Sequence, residues 1–190
     1  MNKKILNQIA ESLCKPPKGI LAADESTNTI TKRFSDISVE STFENRRSYR
    51  ELLFTTKDLN NFISGIILYD ETIRQSTSEG IPFADFLNNL KILPGIKVDT
   101  GAVPMTPDSV EKITEGLDGL AKRLDEYATL GAKFTKWRAI IDIDESSDIP
   151  SDYAIQLNCS NLARYAKIVQ NFDMAPIVEP EVIMDRDHLI

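Results

Sequence analysis

Apolar and polar positions alternate along this chain in two periods. Short apolar runs, "KGILAAD" (18–24), "FISGIILYDE" (62–71), "PGIKVDTG" (94–101), "KFTKWRAIIDI" (133–143) and "APIVEPEVI" (175–183), read as five strands. Between them lie longer segments with helical spacing. "TFENRRSYRELLFTT" follows the first strand after a polar turn, and "PFADFLNNLK" carries Pro82 near its start. In the next segment Leu117, Leu120, Leu124 and Tyr127 recur at steps of three and four, with Gly131 where a C-cap falls. "SDYAIQLNCSNLARYAKIVQN" places Ile155, Leu162, Ala166 and Val169 along one side. Strand and helix alternate up to a fifth strand, which predicts a parallel sheet with crossover helices and no linker that would divide residues 1–190 into separate domains.

The fourth strand raises a question. Side chains alternate along a strand, so Phe134, Lys136, Arg138 and Ile140 share one face, and Thr135, Trp137, Ala139 and Ile141 share the other. Lys136 and Arg138 therefore point the same way, about 7 Å apart. Like charges at that spacing need a negative partner or open water. Trp137, facing the helices, is expected in the core.

Composition narrows the setting. A chain of 190 residues, 42% hydrophobic and 27% charged, has room for one substantial core. A net charge of −7 argues against a nucleic-acid surface but is compatible with a small anionic ligand bound by a few clustered cations. No apolar run approaches a membrane span, and the first residues do not read as a leader, so a cytoplasmic protein is expected. Cys14 and Cys159 lack metal-ligand spacing and read as free thiols. His188 is the single histidine and sits in the tail, so acid/base chemistry falls to lysines and carboxylates.

Those groups gather at strand ends. Asp24 ends the first strand, Lys97 and Asp99 the third, Lys136 and Arg138 lie on the fourth, and Glu179 and Glu181 on the fifth. Of the folds such a pattern allows, the doubly wound sheet favours a glycine-rich loop after the first strand, and "AADESTNTI" has no glycine. An eight-stranded α/β barrel instead places functional residues at the carboxyl ends of several strands. The paired glutamates, about 6 to 7 Å apart, would repel by about 2 to 3 kcal/mol at an effective dielectric near 20, which helps keep one protonated while its neighbour stays ionised. Lys136 opposes that shift by pairing with one of them. A lysine crowded by another cation is expected to lose some affinity for its proton, and a neutral amine is what carbonyl chemistry requires.

The motifs "GILAADEST", "ENRRSYRELL", "PGIKVDTG", "GLDGL", "FTKWR" and "PIVEPE" resemble, in order and spacing, those of class I, Schiff-base-forming fructose-bisphosphate aldolases, from residue 16 onward. The resemblance implies a TIM (β/α)8 barrel, here an incomplete barrel of about five β/α units forming a single partial domain over residues 1–190. It implies reversible aldol cleavage of fructose 1,6-bisphosphate to dihydroxyacetone phosphate and glyceraldehyde 3-phosphate in glycolysis, without metal or cofactor, by a homo-oligomer, commonly a tetramer. By the same resemblance Asp24 and Lys136 handle protons, Glu179 is the main general acid/base and Glu181 its electrostatic partner. Lys97 and Arg138 face the substrate and its phosphates. Ser26, Thr29 and Arg33 match phosphate-contacting positions after the first strand, with Lys32 and Arg47 as further cations nearby. Thr29 stands where the family usually has serine, and Asn28 where it has glycine; asparagine tolerates left-handed backbone, so the loop is expected to keep its path.

The family's imine-forming lysine lies in a sixth-strand "LLKPN"-like segment that nothing here matches. Three readings follow. The chain acts as an aldolase once the barrel is complete. Alternatively, it is a non-catalytic half barrel that associates through its open sheet edges or binds sugar phosphate weakly. In the third reading, Lys136 itself forms the imine.

Overall fold

The structure, a computed structural model, describes residues 1–184. Helix α1 (Lys3–Leu13) precedes β1 (Gly19–Ala23), α2 (Thr27–Asp36), α3 (Phe43–Phe54), β2 (Ile63–Leu68), α4 (Asp70–Ile73), α5 (Phe83–Asn89) and β3 (Leu93–Lys97). A hairpin of β4 (Gly101–Pro104) and β5 (Lys112–Glu115) follows, then α6 (Leu120–Thr129), β6 (Phe134–Ile141), α7 (Asp152–Gln170) and β7 (Ala175–Val182). The main sheet is parallel, in the order β1-β2-β3-β6-β7, so all five expected strands pair in chain order.

Each sheet face has its own cover. On the outer face Ile66, Leu68, Ile96, Trp137 and Ala139 meet Phe54, Phe83, Leu87, Leu124, Leu162 and Tyr165 from the crossover helices. Trp137 is fully buried there, its ring 5.3 Å from that of Tyr165. On the inner face Ile67, Phe134 and Ala175 form a smaller cluster with Leu13 of α1, flanked by Ile9, Leu93 and Ile177. Helix α1 can reach it because Ile9 and Leu13 lie one turn apart on one side, and Asn2 caps its first turn by accepting the amides of Lys4 and Ile5. Phe134 lies across Gly95, where an added Cβ would come within 2.3 Å of its ring. Space, not backbone angle, requires glycine there.

Several segments differ from the pattern-based expectation. Residues after Ser26 form α2 rather than a polar turn, because Ile30 and Phe34, four apart, both bury while the rest of the segment stays polar. Asn28 sits in the first turn of that helix, so the backbone there is helical and not left-handed. The β4–β5 hairpin, two strands of four residues each, is too short to show a period. In α7 the buried stripe runs through Ala154, Asn158, Leu162, Tyr165 and Val169, leaving Ile155 exposed. Asn158 is accommodated because its amide donates to the carbonyl of Lys112 at 2.9 Å and that of Ala154 at 3.1 Å. Gly131 does end α6, with φ at +101° just past the C-cap Leu130.

Gly95→Ala is expected to destabilise the fold by about 1–3 kcal/mol in urea unfolding, as overpacking against Phe134. Adding Phe134→Leu should return part of that loss.

Candidate active site at the carboxyl ends of the strands

Along the inner face, apolar residues give way to charged ones toward the carboxyl ends. Gly95 pairs with Phe134 in register, and two residues on Lys97 pairs with Lys136. On the other side of β6, Arg138 pairs with Glu179 and Ile140 with Glu181. Asp24 follows β1 directly. Asp24, Ser26, Thr29, Lys97, Lys136 and Arg138 line a cleft of about 830 Å³; Glu179 and Glu181 are not among its lining residues and reach it through Lys136 and Arg138.

Lys136 is the junction. Its Nζ lies 2.7 Å from Asp24 Oδ2 and 3.6 Å from Glu179 Oε2. Both Lys136 and Asp24 are 7% exposed. Burial works against the lysine's charge, but the hydrogen bond and field of Asp24, with Glu179 and Asp99 behind it, outweigh burial and raise its pKa above the ordinary lysine value. The expectation of a weakened, neutral amine at this position is therefore overturned. The nearest groups to Lys136 are acids, and the neighbouring cations are drawn to carboxylates of their own.

The two glutamates separate in the expected sense. Burial pushes the Glu179 pKa up; Lys136 opposes this, Glu181 and Asp24 add to it, and the net direction is upward. Glu181 is held below the ordinary range by its hydrogen bonds from Arg138, whose Nη2 donates at 2.7 Å and whose Nε donates to the other oxygen. Lys97 pairs with Asp99. Ser26 caps α2, its hydroxyl 3.1 Å from that of Thr29 and accepting the Thr29 amide, so both hydroxyls border the cleft at a helix start.

The remaining expected cations are placed differently. Arg33 pairs with Glu25, which is also held by the buried Arg50. Burial resists ionisation of Glu25, yet these two arginines keep its pKa below the ordinary value. Arg47 stands outside the cleft, its guanidinium bound by Glu44 and Glu51 of its own helix at 2.6 Å each. Lys32 is exposed on α2 and is not part of the cleft wall.

A second wall was not anticipated. Asp70, at the start of α4, accepts from Arg74 at 2.9 Å and from the Tyr127 hydroxyl at 2.8 Å, while Arg74 reaches across to Glu126. Burial together with the Asp70 hydrogen bond lifts the Tyr127 phenol to about 12. Arg123 donates to the carbonyls of Val98, at 2.8 Å, and Gly116. The available signal was an aspartate and arginine four apart just past a strand end. Cys14 and Cys159 are free and exposed, and His188 lies outside the described residues. Among the described residues no helix is long and apolar enough to cross a membrane, and no group of three or more His, Cys, Asp or Glu side chains is placed to hold a metal ion.

A family model described as fructose-bisphosphate aldolase class-I matches residues 5–190. The chain belongs to that family. It is 56% identical over 188 residues to a probable fructose-bisphosphate aldolase class 1 of Xanthomonas campestris, covering 99% of this chain and 56% of that protein. It is 51% identical over 181 residues to the fructose-bisphosphate aldolase of Plasmodium falciparum, covering 95% of this chain and 49% of that one. The Plasmodium falciparum aldolase solved in a ternary complex with TRAP and a small-molecule inhibitor superimposes with a TM-score of 0.94 at 50% identity, over 97% of this chain and 53% of that chain. The chain thus spans about half the length of the relatives it matches. The curled parallel sheet is part of the architecture of this TIM-barrel family.

The raised pKa of Glu179 carries a pH signature. An acid whose folded pKa lies above its unfolded value contributes stability that is full below the unfolded pKa and is lost as pH rises through the folded one. Glu179→Gln removes that dependence. The melting temperature of the variant minus that of the wild type is expected to increase from pH 4 to pH 8 in scanning calorimetry.

Proposed function

We propose that this chain forms the proton-handling part of a class I fructose-bisphosphate aldolase, its five strands being successive units of an eight-stranded α/β barrel. In that reading residues 1–190 form one domain unit. The complete enzyme reversibly cleaves fructose 1,6-bisphosphate to dihydroxyacetone phosphate and glyceraldehyde 3-phosphate, in glycolysis, in the cytoplasm and as the homo-tetramer common in the family. The observation that carries it is Lys136 of β6 held between Asp24, just past β1, and Glu179 of β7 on the inner face of the sheet.

Aldol cleavage needs the proton of the hydroxyl beside the breaking carbon–carbon bond to leave, and a proton to return to the carbon left behind. Asp24 and Glu179 are the carboxylates for those transfers, and charged Lys136 lowers the cost of negative charge between them. Glu181, kept ionised by Arg138, favours the protonated form of Glu179. Lys97, Arg138, Ser26 and Thr29 face the sugar phosphate from the cleft walls. Arg33 serves it only after leaving Glu25, and Arg47 contributes by ordering its helix rather than by contact. Lys136, as an ammonium, is not the imine nucleophile; that step belongs to the part of the family's length beyond the matched half.

Borohydride reduction with dihydroxyacetone phosphate, followed by protein mass spectrometry, tests the assignment. The 190-residue chain alone is expected to remain unmodified. Joined to the remaining length of the Xanthomonas campestris relative, it should trap one adduct and cleave the bisphosphate. In that joined protein Lys136→Met is expected to lower kcat by about 10²-fold or more. An adduct on Lys136 of the chain alone would contradict the assignment.

A further inference from the structure

Lys97 and Lys136 are register partners on adjacent strands, so two ammonium-bearing side chains leave the sheet next to each other on one face. Such a pair repels, and each amine turns toward the nearest negative group. Those groups lie in different directions. Asp24, just past β1, takes Lys136, with Glu179 of β7 behind it, while Asp99, just past β3, takes Lys97. Arg138, the third cation on this face, is occupied by Glu181.

Asp99 is itself fixed. Its side chain is 3% exposed. Its Oδ1 accepts from Lys97 Nζ and from the amide of Gly101 at 3.2 Å, and its Oδ2 accepts from the amide of Arg138 at 3.3 Å. Lys97 Nζ donates as well to the Asp99 carbonyl at 3.0 Å. One buried carboxylate thus ties the end of β3, the start of β4 and the middle of β6 to the position of a single ammonium group.

We infer that Asp99 is a positioning residue of the cleft: it holds the Lys97 ammonium away from Lys136, so that the two cations present themselves as separate, oriented donors. What this orientation does for a sugar phosphate rests on the aldolase reading; the orientation itself does not. A carboxylate that only stabilised the β3–β4 turn would need the two backbone amides and not the lysine. The two roles differ in what they do to Lys97.

Competitive acetylation of lysines across pH 7 to 11, read residue by residue by mass spectrometry on the 190-residue chain, separates them. In the wild type Lys97, a partly buried side chain whose Nζ is held by the carbonyl and carboxylate of Asp99, is expected to react several-fold more slowly at pH 8 than the exposed Lys57 and Lys122. Asp99→Asn keeps an acceptor for a backbone amide but removes the charge. In this variant the Lys97 rate should approach that of Lys57, and the Lys136 profile should move to lower pH, because Asp99 supports its charge. Lys57 and Lys122 should not change. An unaltered Lys97 rate at pH 8 in a folded Asp99→Asn protein, checked by circular dichroism, would overturn the inference. If that variant does not fold, the wild type decides: Lys97 reacting as fast as Lys57 would overturn it equally. Labelling needs no turnover, so failure of the aldolase assignment and failure of this inference give different results.

Discussion

The ammonium of Lys136 meets Asp24 at 2.7 Å although their strands stand three places apart in the sheet. Neighbouring strands are about 4.8 Å apart, so a flat sheet would separate β1 and β6 by about 14 Å. An extended lysine and an aspartate, with the 2.7 Å contact between them, span about 12 to 13 Å. The sheet has to curl toward this face for the contact to form. The contact therefore requires the curvature, and the concave cleft goes with it. Removing one member of a buried ion pair costs about 3–5 kcal/mol, because the other charge is left unpaired, even where the pair itself adds little net stability.

The inner face divides by height. Near its amino ends Phe134 lies over Gly95, and Leu13 of α1 comes close over Gly65, so apolar side chains fill the concavity. Two residues further along β3 and β6 the same face is charged, and its cations are each met by a carboxylate: Lys97 by Asp99, Lys136 by Asp24 and Glu179, Arg138 by Glu181. On the proposed aldolase reading, a substrate phosphate entering this cleft competes with carboxylates already in place. The most exposed of these pairs, Arg138 with Glu181, is the least costly to exchange, since its partners are 38% and 41% exposed.

Much of this could be read from residue order. Alternation along β6 put Lys136 and Arg138 on one face and Trp137 on the other, because strand geometry leaves no other choice. The i, i+2 placement of Glu179 and Glu181 assigned them together for the same reason. The charge state of Lys136 could not be read that way. It depends on how close Asp24 comes, which is a property of curvature and not of spacing along the chain. Arg47 shows a different limit: Glu44 and Glu51, three and four residues away on its own helix, already hold its guanidinium. Helix α2 was hidden because two apolar residues among ten are enough to anchor a helix whose other positions face water.

The most direct measurement is a double-mutant cycle between Asp24→Asn and Lys136→Met by urea unfolding of the 190-residue chain. If the two side chains meet across the curled sheet, the cycle should return a coupling energy of about 1 kcal/mol or more. Additivity within about 0.3–0.5 kcal/mol would mean that they do not share a site, and the curled, proton-handling cleft would be wrong.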